Sequence, residues 1–265
     1  MSSTVPAGSL RPTGTTRTTV DVPPVGAVEI TVADRDRTRP FLLLHGGGGA
    51  ATMAGFADLL AERTHSRVLL PTHPGFGGTP RPDGLCSVTD LACAYLALLD
   101  RLGLADVTVV GNSFGGWLAA EIALLGNPRV SGAVLVDAIG VEVEGHPVAD
   151  VGSMSPAELA AHSWHDPSRA PAPPASGGTG PRPDLQALTA YAAPSMSDPT
   201  LLDRLGGLHL PVHVIWGQSD RIVDTAHAKA LAAALPLSRL TILPATGHLP
   251  QLETPEELLG ALLDA

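Results

Sequence analysis

The chain has 265 residues, 44% of them hydrophobic but only 3% aromatic, and a formal net charge of -10. That length suits one large α/β domain with an insertion, its core filled by Ala, Leu and Val rather than by rings. The acidic balance argues against nucleic acid, whose phosphates need a cationic surface. No apolar run reaches the roughly 18 residues of a membrane span, and residues 1–19 lack the apolar core of a signal peptide. The expectation is therefore a soluble cytoplasmic protein with no membrane partner.

Residues 1–18 are polar and without hydrophobic period, and are expected to form a disordered tail. Weak strands follow at Thr19–Val22 and Ala27–Ala33, split by Pro23, Pro24 and Gly26. A regular rhythm then sets in: strand Phe41–Leu44, helix Met53–Thr64, strand Arg67–Leu70, helix Val88–Leu102, strand Val107–Val110, helix Ser113–Leu125 and strand Gly132–Asp137. Short continuous apolar strands alternating with helices of ten or more residues indicate a mostly parallel sheet covered on both faces. From Ala138 to Leu210 the rhythm breaks. This Pro- and Gly-rich stretch shows helical spacing only near Pro156–Trp164 and Asp184–Ala192, and its length suggests a lid over a binding site. The rhythm resumes with strand Val212–Trp216, helix Thr225–Leu235, strand Leu240–Leu243 and helix Pro255–Leu263. The expected division is a core of residues 19–139 and 211–265, with an insertion at 140–210. Cys86 and Cys93 form neither a C-x-x-C pair nor a disulfide framework, and Cys93 reads as a small core residue.

Chemistry enters at Gly111-Asn112-Ser113-Phe114-Gly115, a G-x-S-x-G pattern between an apolar strand and an apolar helix. A nucleophile on such a strained turn needs small flanking residues, and Gly111 and Gly115 supply them. A serine capping the helix is the competing explanation. A serine nucleophile also needs a base and an acid to orient that base. Asp220 follows strand Val212–Trp216, and His248 follows strand Leu240–Leu243; in a parallel sheet both loops fall on the ligand-binding edge. Asp224 and Asp137 are alternative acids, Asp224 also being a candidate helix cap and Asp137 a candidate turn residue. The glycine run after His45 and the start of the helix after Ser113 offer backbone N–H groups for an oxyanion, most directly those of Gly47 and Phe114. No G-K-[ST], dinucleotide fingerprint or H-E-x-x-H motif suggests a nucleotide or a metal.

With these pieces together the chain resembles the α/β-hydrolase superfamily, in particular compact esterases, cofactor-free haloperoxidases and meta-cleavage carbon–carbon bond hydrolases. The blocks that carry the resemblance are Leu42–Gly48, Pro74–Thr79, Gly111–Gly116, Trp216–Asp220 and Gly247–Glu253. It implies an eight-stranded, mostly parallel sheet with a small helical cap. It also implies a triad of Ser113, Asp220 and His248, no metal and no cofactor. Serine at the elbow sets the chain apart from members with aspartate there, such as haloalkane dehalogenases and epoxide hydrolases. Leu252 stands where carbon–carbon hydrolases commonly carry tryptophan. The resulting expectation is an ester, thioester or lactone hydrolase acting on a small molecule, contacted by Gly46, Gly48, Asn112, Trp117 and Leu249. The alternatives are a carbon–carbon hydrolase, lyase or cyclase using the same residues, and a non-catalytic binding protein. Oligomeric state is left open.

Overall fold

A computed structural model describes residues 14–35, 40–171, 183–192 and 195–264. Eight strands form one sheet in the order β1-β2-β4-β3-β5-β6-β7-β8. They are β1 Gly14–Val22, β2 Gly26–Arg35, β3 Pro40–Leu44, β4 Arg67–Thr72, β5 Val107–Asn112, β6 Val130–Val136, β7 Val212–Gly217 and β8 Ser238–Leu243. The hairpin β1–β2 joins the edge antiparallel, and every pairing from β4 through β8 is parallel. The α/β class and sheet read from the sequence are therefore present.

Alternate residues of the central strands feed two separate cores, which is why these strands read as unbroken apolar runs. Leu42, Leu44, Val109, Leu135 and Val214 face helices α2 (Val88–Arg101) and α3 (Phe114–Leu124). Leu43, Val110, Val134, Val136 and Ile215 face the opposite core with α1 (Ala51–Thr64). Between β6 and β7 lie α4 (Pro156–Ser163), a 3-10 turn at Pro167–Arg169, α5 (Pro183–Ala192) and α6 (Leu201–Leu205). The capping box Ser155/Glu158 and Pro156 at the first turn start α4. After β7 come α7 (Thr225–Ala234), α8 (Pro250–Glu253) and α9 (Pro255–Leu263). Among the described residues no helix is long and apolar enough to cross a membrane.

Two expectations need correction. The tail assigned to residues 1–18 is too long, because Gly14–Thr18 already pair with β2. Their side chains are mostly exposed, so this edge strand carries no apolar alternation, and residues 1–13 lie outside the described residues. Helical spacing in the insertion is confined to Pro156–Trp164 and Asp184–Ala192, whereas the structure adds a third helix, α6, anchored by buried Leu201 and Leu205. Most of its Pro- and Gly-rich run, residues 172–182, also lies outside the described residues.

Candidate active site

β5 delivers Ser113 at φ 57°, ψ -118°, a conformation that L residues adopt only when the surroundings enforce it. The enforcement is steric. A Cβ on Gly111 would stand 1.9 Å from the Gly115 carbonyl oxygen, and one on Gly115 would stand 2.0 Å from that of Leu44. The turn thus lifts Ser113 at the carboxyl edge of the sheet while α3 starts directly behind it. Phe114 is the first residue of α3, so no carbonyl of that helix lies behind its N–H.

The loops after β7 and β8 meet beside it. His248 Nδ1 donates to Asp220 Oδ2 at 2.7 Å. Asp220 Oδ1 accepts the N–H groups of Ile222 (2.8 Å) and Val223 (3.1 Å), which fix the carboxylate. Ser113 and His248 line the same cavity, of about 360 Å³. Asp224 is not in this position: it caps α7 through Ala226 N–H at 2.8 Å, and it pairs with His146. Asp137 is close by, fully buried at the end of β6, and accepts Gly217 N–H at 2.8 Å.

Gly46, Gly47 and Gly48 line the same cavity. A Cβ on Gly46 would come within 2.9 Å of Ser113 Cβ, so the loop approaches the serine as closely as backbone allows. The loop is braced by a buried histidine pair absent from the expected site. His73 N–H donates to His45 Nε2 at 3.1 Å, leaving His45 Nδ1 to donate to Gly46 O at 2.8 Å. His73 Nε2 donates to His45 O at 2.9 Å, and the ring centroids lie 3.7 Å apart with the planes tilted by 31°. With one nitrogen of each ring facing a carbonyl and the other an N–H or O–H donor, both rings are held neutral. Burial lowers His45 to about 4 and pushes His73 well below the ordinary histidine range.

Among the expected substrate contacts, Gly46, Gly48, Asn112 and Leu249 border the cavity, and Trp117 does not. One turn into α3, Trp117 packs against Gly140, where a Cβ would fall 2.5 Å from the ring, and its indole N–H reaches Glu121 Oε1 at 3.3 Å. Asn112 touches the cavity, but its amide is engaged elsewhere. Its nitrogen donates to His248 O at 3.0 Å, and its oxygen accepts from Gln251 at 3.0 Å. Its contact is with the histidine loop. Glu253 also escaped the sequence reading. Buried, it gathers the N–H groups of Gly247 (2.7 Å), His165 (3.1 Å) and Asp166 (3.0 Å), tying the insertion to the histidine loop. Most of the remaining wall comes from the insertion and the β7–α7 loop, including Val148, Leu159, Leu188 and Ile222, with Thr52 and Ile139 added from the core. Asp184, on α5, also lines the cavity and accepts Gly77 N–H at 2.9 Å.

Among the described residues, Asp137, Asp220 and His248 are the group whose potential ligand atoms lie within 4.8 Å of one another. His248 Nδ1 and Asp220 Oδ2 are spent on each other, so the arrangement suits proton transfer better than metal ligation.

Comparison with known proteins agrees with this architecture. A 2-hydroxy-6-oxo-2,4-heptadienoate hydrolase of Pseudomonas putida is 38% identical over 122 residues, covering 45% of this chain and 44% of that protein. The chain thus matches less than half the length of that relative. An uncharacterized protein of Mycobacterium tuberculosis is 29% identical over 248 residues, covering 82% of this chain and 72% of its own. In fold, the chain is similar to a meta-cleavage product hydrolase of Pseudomonas fluorescens (TM-score 0.72, 20% identity, 93% and 96% of the two chains covered). It is similar too to an esterase of Thermogutta terrifontis (TM-score 0.68, 23% identity, 94% and 97% covered). The profile of the Alpha/beta hydrolase family matches residues 41–261, and the chain belongs to that family.

Proposed function

We propose that the protein is a serine hydrolase that cleaves small uncharged esters, thioesters or lactones through an acyl-enzyme on Ser113. The carrying observation is the His248–Asp220 hydrogen bond at 2.7 Å on the wall of a cavity that also receives Ser113. With Nδ1 committed to Asp220, Nε2 of His248 is the nitrogen left to take the hydroxyl proton as Oγ attacks the carbonyl. The N–H groups of Gly47 and Phe114 receive the developing oxyanion. Collapse expels the alcohol or thiol, protonated by His248; water then enters, gives its proton to the same nitrogen and releases the acid. The inserted segment acts as a cap, closing the cavity over these groups.

A carbon–carbon hydrolase is the second reading, supported by the heptadienoate hydrolase relative. A dienoate carries a carboxylate, and binding it away from water calls for a cation. Among the described lining residues the ionisable side chains are Asp184 and His248, with aliphatic groups making up most of the rest. The carboxylate of Asp184 supports the uncharged ester over the dienoate. The deciding experiment compares p-nitrophenyl butyrate, p-nitrophenyl hemisuccinate and a 2-hydroxy-6-oxo-dienoate. The butyrate ester is expected to be cleaved best, with a fluorophosphonate labelling Ser113. Ser113→Ala is expected to lose about 10³-fold or more in turnover. Normal turnover by Ser113→Ala sinks the reading, and a preference for the dienoate without an acyl-enzyme hands the site to its rival.

A further inference from the structure

Asp137 has no part in the steps above, yet it lies against the residues that do. It sits just beyond β6 at φ 46°, a left-handed conformation unusual for a residue with a side chain. Its Oδ1 is satisfied by Gly217 N–H, whereas Oδ2 is buried without a hydrogen-bond partner. One oxygen of Asp137, one of Asp220 and one ring nitrogen of His248 fall within 4.8 Å of one another. Two carboxyl groups therefore share a water-poor site opposite a single imidazole. If both were ionised, the cation within the trio would be His248, and only while it is protonated. Like charges this close cannot both persist out of water, and one proton removes the conflict. The same proton turns the orphaned oxygen into a donor, and the neighbouring carboxylate is the acceptor it needs.

We propose that Asp137 is a neutral carboxylic acid whose proton is hydrogen-bonded to Asp220, so that the two carboxyls present one negative charge to His248. The groups facing Asp137 agree on the direction. Burial, and then the Asp220 carboxylate on the β7–α7 loop, push it well above the usual carboxylate range. The Gly217 N–H on β7 opposes this with a smaller effect. His248, on the loop after β8, is bonded to Asp220. Asp137 is thus a positioning residue, holding the carboxylate that orients the imidazole. Its catalytic consequence rests on the proposed function. When His248 carries the serine proton, one positive charge meets one negative charge. A second carboxylate would hold that proton too firmly to return it to the leaving group.

The placement of the proton can be tested without a substrate. Asp137→Asn keeps an oxygen for Gly217 and an N–H donor for Asp220 but removes the ionisation. In difference infrared spectra at neutral pH, the wild type is expected to show the C=O band of a protonated carboxyl, and Asp137→Asn to lack it. The folded wild type retains a proton on Asp137 that the unfolded chain releases near pH 4, so the contribution of Asp137 to stability falls as pH rises above that value. The thermal midpoint of Asp137→Asn should therefore gain on that of the wild type as pH goes from about 4 to about 7. A wild type without the band, a band that survives in Asp137→Asn, or a midpoint difference flat with pH overturns the proposal. Should the variant fail to fold, wild type labelled with ¹³C at its aspartate carboxyls decides alone. A buried carboxyl carbon with the shift of a protonated acid at neutral pH upholds the proposal, and carboxylate shifts throughout refute it. Loss of activity in Ser113→Ala bears on the function alone and leaves this result untouched.

Discussion

The parallel core and the segment inserted between β6 and β7 are held together by different physics. At the core's carboxyl edge the fit is backbone against backbone: Gly111 and Gly115 leave no room for a methyl group, and His45 and His73 fill the space below the glycine loop as neutral rings. The insertion is attached by apolar anchors such as Leu188, Leu201 and Leu205 and, at its junctions, by polar clamps. Glu253 collects three N–H groups across the junction, and Arg204 on α6 reaches buried Glu121 on α3 with both terminal nitrogens, at 2.6 and 2.9 Å. The nucleophile, base and acid proposed here all stand on the core, while the insertion contributes cavity wall and a grip on the histidine loop. Damage to the core should therefore abolish the fold, and damage to the clamps should loosen the site within a fold that survives.

The largest effect is expected at Gly115→Ala. The new methyl would fall 2.0 Å from the Leu44 carbonyl, and we expect either no soluble protein or a loss exceeding about 3 kcal/mol in urea unfolding. A variant of wild-type stability would mean that the elbow is not sterically locked.

Acid should act on the same region. His45 and His73 remain neutral in the folded protein while the unfolded chain takes up protons. Their contribution to stability is thus complete above about pH 6.5 and lost as pH falls toward about 4. His45 alone should contribute on the order of 3 kcal/mol to that loss. Urea midpoints of Asp137→Asn, which lacks the opposing titration of Asp137, check it across this range, and a flat profile in that variant would break the assignment of the pair as neutral.

Glu253→Gln tests the junction. One amide group cannot accept all three N–H bonds, and a cost of about 2 kcal/mol is expected, together with a roughly tenfold fall in kcat/KM for p-nitrophenyl butyrate. If stability falls and kcat/KM does not, the clamp supports the insertion without steadying His248.

The smallest effect belongs to His146→Ala, which removes a pair with Asp224 in which both side chains are 45% exposed. Such a pair contributes less than about 1 kcal/mol, screened by salt. A larger loss in thermal unfolding would show that the insertion depends on this contact after all.

The difference between the two regions also explains how much could be read in advance. The elbow and the strand–helix rhythm are properties of short segments, and each appeared where local pattern placed it, as did the loops that carry Asp220 and His248. The β1 edge was missed at Gly14–Thr18 because a strand exposed to water on both faces has no apolar period to announce it. Trp117 was misplaced for the opposite reason. All residues of α3 from Phe114 to Ala123 are buried, so no amphipathic stripe indicates which side chains point to the cavity. Asp184 went unnoticed because nothing within α5 distinguishes a carboxylate over the glycine loop from one in solvent. Glu253 carries no local mark beyond its place at the end of the Gly247–Glu253 block, since its partners His165 and Asp166 belong to a segment almost ninety residues earlier.

The sequence by itself determined the α/β rhythm, the strained serine turn and the loops that carry Asp220 and His248, because each depends on backbone geometry within a few residues. The tertiary structure alone decided that Asp137 lies against Asp220, that Asp184 faces the cavity and that Glu253 bridges the insertion to the histidine loop. These are relations between side chains on different strands and helices. Sheet order and the direction of each side chain set them, and neither quantity is encoded in any one stretch of chain.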